Sequence, residues 1–261
     1  MGVLNVTPDS FSDGGNFLMP SNALKHADSL IRDGADIIDI GGESSRPGSC
    51  PVTITEELKR VIPVINLIKK NFPDILISID TYKSEVASEA INFGADLVND
   101  ITGLKGCDKM ASLVSKTKVP IVIMHMRGKP NNMQNNTHYT DLISEISLFF
   151  KSQVDLAKSY GIKDDKIILD PGIGFGKSLD QNFIILKNIN KFCHLGYPIL
   201  IGTSRKSFLT KTLKTDSNNV IEGTIASSLF CILNGASILR VHDVKKIKRS
   251  VEIIERIMKS E

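Results

Sequence analysis

Eight short apolar runs recur along the chain, at 3–5, 36–39, 75–80, 96–99, 121–125, 167–170, 199–202 and 238–240, and nearly all close on a polar residue. Runs that are apolar without alternation belong to strands covered on both faces, as in a parallel sheet. Between them lie stretches of helical spacing, at 23–33, 55–70, 83–93, 109–116, 141–160, 179–189, 220–233 and 243–258. Three helix-to-strand joints repeat one pattern, Gly-Ala followed by Asp or Ser, at 34–36, 94–96 and 235–237. A recurring joint indicates a repeated strand–helix unit. Eight such units predict an α/β chain of the (β/α)8 TIM-barrel class, one domain over 1–261. Barrels of this kind work at the C-terminal ends of their strands, so the polar residues closing the runs are the candidates for chemistry.

Composition narrows the partners. The 261 residues approach the ~250 of one barrel. The formal charge of +3 is mild, and the lysines scatter over the outer faces of the predicted helices, with no basic stripe for nucleic acid. The anions implied are small. Cys50, Cys107, Cys193 and Cys231 lie far apart without a CxxC pair, which argues against zinc and fits a reducing, cytoplasmic setting. No apolar stretch is long enough to span a membrane, and the first residues lack the charged and apolar segments of a signal peptide.

Asp80, Asn99 and Asp170 close the third, fourth and sixth runs. Two carboxylates and an amide converging on the barrel axis suit the edge of a flat heterocycle with neighbouring N–H and C=O groups. Asp39 and Asp100 compete with them, although Asp100 follows Asn99 directly and so is expected to face the other way. Residues 170–177 read Asp-Pro-Gly-Ile-Gly-Phe-Gly-Lys: three glycines permit close backbone approach to a ligand, and Phe175 offers an aromatic wall. Ser204 fits a helix N-cap, a terminus that attracts anions, and puts Lys206 in the first turn, where the helix dipole disfavours a cation unless it serves a ligand. Arg240 and His242 are two apart on an extended segment, share one side, and suggest an anion clamp. With Asn5 at the neighbouring strand end they offer a seat for a diphosphate and Mg2+, which needs few protein oxygens beside phosphate. His125 reads as a core histidine in preference to a catalytic acid. The loops 7–22, 41–53 and 127–140 are rich in Gly, Ser, Asp or Asn and are expected to form mobile cover over the mouth.

Taken in order, the segments at 2–15, 39–48, 78–81, 98–100, 124–127, 170–177, 202–208 and 240–244 resemble dihydropteroate synthases over nearly the whole chain. The resemblance implies a Mg2+-dependent, homodimeric barrel enzyme of folate synthesis. It would join (7,8-dihydropterin-6-yl)methyl diphosphate to 4-aminobenzoate, releasing diphosphate. It further implies that Asp80, Asn99, Asp170 and Lys206 hold the pterin, and that Arg240 stacks on its ring and, with His242 and Asn5, holds the diphosphate. Asn5 would ligate Mg2+. Ser45, Arg46, Pro47, Phe175 and Ser204 would shape the aminobenzoate site, and Asp80, Lys206, Arg240 and His242 would carry the catalysis. Two departures stand out. Ser45 replaces the family's usual Thr, keeping the hydroxyl and losing a methyl. The match also starts at Met1, where relatives carry several residues more, so the strand covering the barrel bottom is expected to be short or missing. Two rival classes, a pterin-binding methyltransferase domain and a non-catalytic pterin- or phosphate-binding protein, are expected to lack parts of this residue set.

Overall fold

The computed structural model describes residues 1–7, 19–46 and 48–260; most of the first predicted cover loop, and Pro47 in the second, lie outside them. Eight parallel strands were found where the apolar runs predicted them. They are β1 (Gly2–Asn5), β2 (Ile37–Gly41), β3 (Leu76–Asp80), β4 (Leu97–Asp100), β5 (Ile121–Met124), β6 (Ile167–Asp170), β7 (Leu200–Ile201) and β8 (Ile238–Leu239). Strands β1 to β6 pair in sequence order and β7 pairs with β8. Bridges from Leu169 to Ile199 and from Gly2 to Val241 join the two sets and close the ring.

Strand alternation sorts the residues. Ile38, Ile40, Ile77, Ile79, Val98, Ile121, Ile123, Ile167, Leu169, Ile199 and Ile201 pack outward in the main core. The alternate positions face the barrel interior, and Met1, Leu97, Val122 and Leu200 form an apolar plug at its lower end. The Met1 ammonium donates to the Leu239 carbonyl at 3.0 Å, so the first residue is built into the plug.

The outer helices are α1 (Met19–Arg32), α2 (Ile54–Asn71), α3 (Ser84–Asn92), α4 (Met110–Thr117), α5 (Leu142–Ser159), α6 (Leu179–Lys187), α7 (Ile189–Cys193), α8 (Ser207–Leu213), α9 (Ile221–Leu233) and α10 (Val244–Met258). The three repeated joints have one physical cause. Gly34, Gly94 and Gly235 have φ of 96°, 105° and 99°, the left-handed region, and the following Ala35, Ala95 and Ala236 donate back to Leu30, Ala90 and Cys231. Each glycine therefore ends a helix in a Schellman turn and aims the chain into the next strand. Helix α2 begins earlier than expected because Thr53, not Thr55, is its cap, accepting from the Glu56 amide at 3.2 Å. Ser178 and Gln181 form a reciprocal capping box that starts α6 immediately after the glycine-rich segment.

The second and third cover loops are more tied down than their composition suggested. In the second, Glu43 accepts from the Val52 amide at 3.0 Å and pairs with Lys83 at 2.6 Å, and Gly48 donates to Pro130 of the third. The third buries Met133 and is held to the glycine-rich segment by Gln134 and Tyr139, which donate to the carbonyls of Gly174 and Gly176.

Candidate active site

Asn5, Gly41, Asp80 and Asn99 stand in one register row across β1 to β4, at the C-terminal mouth of the barrel. The row exists because each strand ends its apolar run at the same height. Gly41 stands between Asn5 and Asp80, and a Cβ there would lie in ordinary contact with the Asp80 carboxylate at 3.6 Å and the Asn5 amide oxygen at 3.7 Å. Above the row lies a cleft of about 470 Å³, its open mouth included. Asp80, Asn99, Asp170, Lys206, Arg240 and His242 all line it. So do Ser45, Phe175 and Ser204, with Ile101, Met124 and Ile173 adding apolar walls that the sequence did not single out. Asn5 is half-buried at the end of β1 and lies outside the lining, Arg46 is solvent-exposed, and Pro47 is outside the described residues.

Arg240 links two carboxylates. Its Nε donates to Asp39 at 2.6 Å and its Nη2 to Asp80 at 2.8 Å. Asn99 also donates to Asp39, at 3.3 Å. Burial, with Asp39 and Glu57 nearby, pushes the Asp80 carboxyl up to about 7 against the pull of Arg240. Asp170 is raised by burial, while the Gly172 amide, donating at 2.7 Å, opposes that. Lys206 lies with its ammonium 4.0 Å from the centroid of the Phe175 ring. Burial and the charge of Arg240 bring it down to about 8. Two acceptors, an amide, a softened lysine and an aromatic wall therefore face one volume. Such a set can bind the polar edge and the face of a flat heterocycle together.

The segment after β7 differs from expectation. Ser204 is not an N-cap: it accepts from the His242 amide at 3.2 Å and its hydroxyl pairs with His242 Nδ1 at 3.0 Å. Arg205 has φ of 59° in the left-handed region, which breaks any helix there, so α8 starts at Ser207 and Lys206 stands extended before it. The cleft position of Lys206 thus comes from a turn, and the expected anion-binding helix terminus at Ser204 is absent. The anion clamp also changes character. Burial, then Arg240 and other cations, hold His242 down to about 3, so its imidazole is neutral and offers an N–H, with the positive charge left to Arg240.

Asp100 faces away as expected, accepting from Thr102 and Leu104 and fixing the loop after β4. His125 is a core residue. It stacks edge-on against Phe149 at 4.9 Å, and its Nδ1 lies 2.9 Å from the buried Lys177 ammonium. Lys177 also donates to the carbonyls of His125 and Pro171, tying the glycine-rich segment to β5. Sequence reasoning missed this lysine and a second one, the half-buried Lys83, which bridges Glu43 and the buried Glu57 at 2.6 and 2.5 Å. Both depend on contacts between distant segments, and nothing in the neighbouring sequence marks them.

Comparison with known proteins bears on the family and the fold. A model of the pterin-binding enzyme family matches residues 1–242. A dihydropteroate synthase of Synechocystis is 46% identical over 258 residues, covering 98% of this chain and 89% of that protein. The crystal structure of a Clostridium difficile dihydropteroate synthase in the presence of pteroic acid superposes with a TM-score of 0.94 at 46% identity, covering 100% of this chain and 96% of the other. The Xanthomonas albilineans enzyme with 4-aminobenzoic acid gives 0.94 at 37% identity, with 100% and 93% covered. Barrel topology, the mouth row and these similarities together place the chain in the pterin-binding enzyme family, as a member of the dihydropteroate synthases.

Proposed function

We propose that this chain joins (7,8-dihydropterin-6-yl)methyl diphosphate to 4-aminobenzoate, forming 7,8-dihydropteroate and diphosphate. The observation that carries the reading is the single cleft in which the acceptors Asp80, Asn99 and Asp170 meet the cations Lys206 and Arg240 beside Phe175 and Ser204. The carboxylates and the Asn99 amide would take the N–H groups of the pterin edge, and Lys206 its carbonyl side. Phe175, Ser204 and Ser45, which also line the cleft, would face the aminobenzoate ring.

The substitution breaks the methylene C–O bond and forms a C–N bond, and the aniline nitrogen then loses a proton. Charge develops on the departing diphosphate and, with opposite sign, at the methylene. Arg240 and an N–H of His242 would stabilise the first. The Asp80 carboxylate, on the pterin side, would stabilise the second. The aniline is already nucleophilic, so the protein's main contribution is placement. Mg2+ fits the mouth row: Asn5 brings an amide oxygen to the strand end where Asp80 also stands, and such an ion takes few protein ligands when phosphates supply the rest. Asn5 would hold it, and it would neutralise diphosphate charge. Among the described residues no cluster of three or more His, Cys, Asp or Glu could hold a metal by itself.

Two further parts of the reading concern the whole molecule. A homodimer is supported by exposed Phe183, Leu213, Phe230 and Leu233 on the adjacent helices α6, α8 and α9. A cytoplasmic setting is supported by four free cysteines. No helix among the described residues is long and apolar enough to cross a membrane.

The test is diphosphate release measured with each substrate alone and with both. Release only with both, lost on chelation and restored by Mg2+, is expected. Release that does not need 4-aminobenzoate would overturn the reading.

A further inference from the structure

Asp39 touches Arg240 from inside the barrel and does not line the cleft. It is 0% exposed and is the register partner of Ser78, one step below the mouth row. Its Oδ2 takes the Arg240 Nε–H and an N–H of Asn99, so two residues of the candidate site rest on one carboxylate oxygen. Its Oδ1 has no partner among the described residues, nor do the Ser78 hydroxyl and the Asn99 carbonyl oxygen. A buried carboxylate with an idle oxygen is a poor stabilising device, because desolvation of a charge outweighs a partly used pairing. Its position under Arg240 calls for another explanation.

The two carboxylates on Arg240 are not equivalent. Asp80 lines the cleft and can be reached by a ligand, whereas Asp39 cannot. On the reading given above, the pterin edge takes Asp80, and a guanidinium held by Asp80 alone would be released when substrate binds. A second anchor at Nε keeps the plane of the fork in place through that exchange, since Nε lies at the root of the guanidinium. The same oxygen fixes which end of the Asn99 amide faces down, so its carbonyl oxygen, buried and without a partner among the described residues, is the end left for a donor.

We propose that Asp39 is a positioning residue for the pterin half of the site: it orients Arg240 and Asn99 from beneath while Asp80 changes partners. It acts through these two side chains and does not touch substrate. The inference rests on the assignment of Asp80, Asn99 and Arg240 to the pterin side.

The experiment is steady-state kinetics of Asp39→Asn, Asp39→Glu and Ser78→Ala beside the parent, with both KM values and the melting temperature of each. The amide keeps the shape but removes the charge that holds Nε. A rise of at least tenfold in KM for the dihydropterin diphosphate is expected, with KM for 4-aminobenzoate within twofold. Asp39→Glu retains the charge and is expected to recover part of the loss. Ser78→Ala, an interior neighbour that does not touch Arg240, is expected to match the parent. Should the amide not fold, Asp39→Ser is measured in its place, with the same split expected. Parent-like KM values in a folded Asp39 variant would overturn the proposal. So would equal losses toward both substrates, which would show a packing role. A parent enzyme that makes no product is a separate outcome, which refutes the functional reading and with it the premise of this proposal.

Discussion

Replacing Lys206 by Met removes one charge and keeps most of the side-chain volume. In the structure the ammonium lies 4.0 Å from the Phe175 centroid, in a cleft shared with Asp80 and Asp170. A cation–π contact contributes about 0.5–2 kcal/mol. A hydrogen bond from a charged donor to the pterin contributes about 1.5–3 kcal/mol. The cation–π contact is already present without ligand, so the pterin hydrogen bond sets the loss, about 1.5–3 kcal/mol of transition-state stabilisation, and kcat/KM in the two-substrate diphosphate assay should fall at least tenfold. The sign of the pH effect follows from burial. Lys206 titrates at about 8 in the folded protein, below its usual 10.5, so the folded state disfavours its charge. Stability therefore rises as pH climbs from about 8 to 10.5, and at neutral pH the charged lysine costs on the order of 3 kcal/mol. The Met variant should accordingly melt no lower than the parent at pH 7. In the parent, kcat/KM should decline as pH rises through about 8, and the variant should lack that limb. Lys211→Ala, on the exposed side of α8, is the control and should be silent. A Met variant that turns over like the parent, or one that loses activity only because it melts early, would refute the reasoning.

Further outcomes follow from the same geometry. Asp170→Asn should weaken binding of pteroic acid by about 1.5–3 kcal/mol, because an acceptor of ring N–H groups becomes a mixed group; calorimetry showing unchanged affinity would remove Asp170 from the pterin site. Lys83→Met should cost about 3–5 kcal/mol in urea unfolding, since Glu57, 1% exposed, would be left charged and unpaired, and adding Glu57→Gln should return part of it. Two independent, additive losses would count against the bridge. In Lys83→Met the 42–52 amides should also exchange faster, because Glu43 loses its tie to α3's entry; unchanged exchange would show that the loop is held elsewhere.

The barrel was legible because its signals are local. Buried parallel strands need unbroken apolar runs, and a left-handed helix end needs a residue such as Gly34, Gly94 or Gly235, so both appear as short patterns. The mouth row was legible for a related reason: a polar residue that ends such a run must stand at the rim, as Asn5, Asp80 and Asn99 do. Interactions between distant segments were not legible. Asp39 and Arg240 are 201 residues apart, and nothing near either one announces the ion pair. The start of α8 was misread because Arg205 takes a left-handed conformation that its residue type does not favour, and local propensity put the cap at Ser204. The third cover loop looked mobile from its asparagines, yet Met133 is buried and its neighbours bond to the glycine-rich segment. A single apolar anchor outweighed the composition.

The central claim is that one cleft holds pterin and aminobenzoate side by side. A crystal structure of this protein with 7,8-dihydropteroate tests it most directly. The account predicts the pterin edge against Asp80, Asn99 and Asp170, with Lys206 on its carbonyl side and the benzoate ring beside Phe175 and Ser204. Product bound elsewhere, or in this cleft with its two ends exchanged, would contradict it.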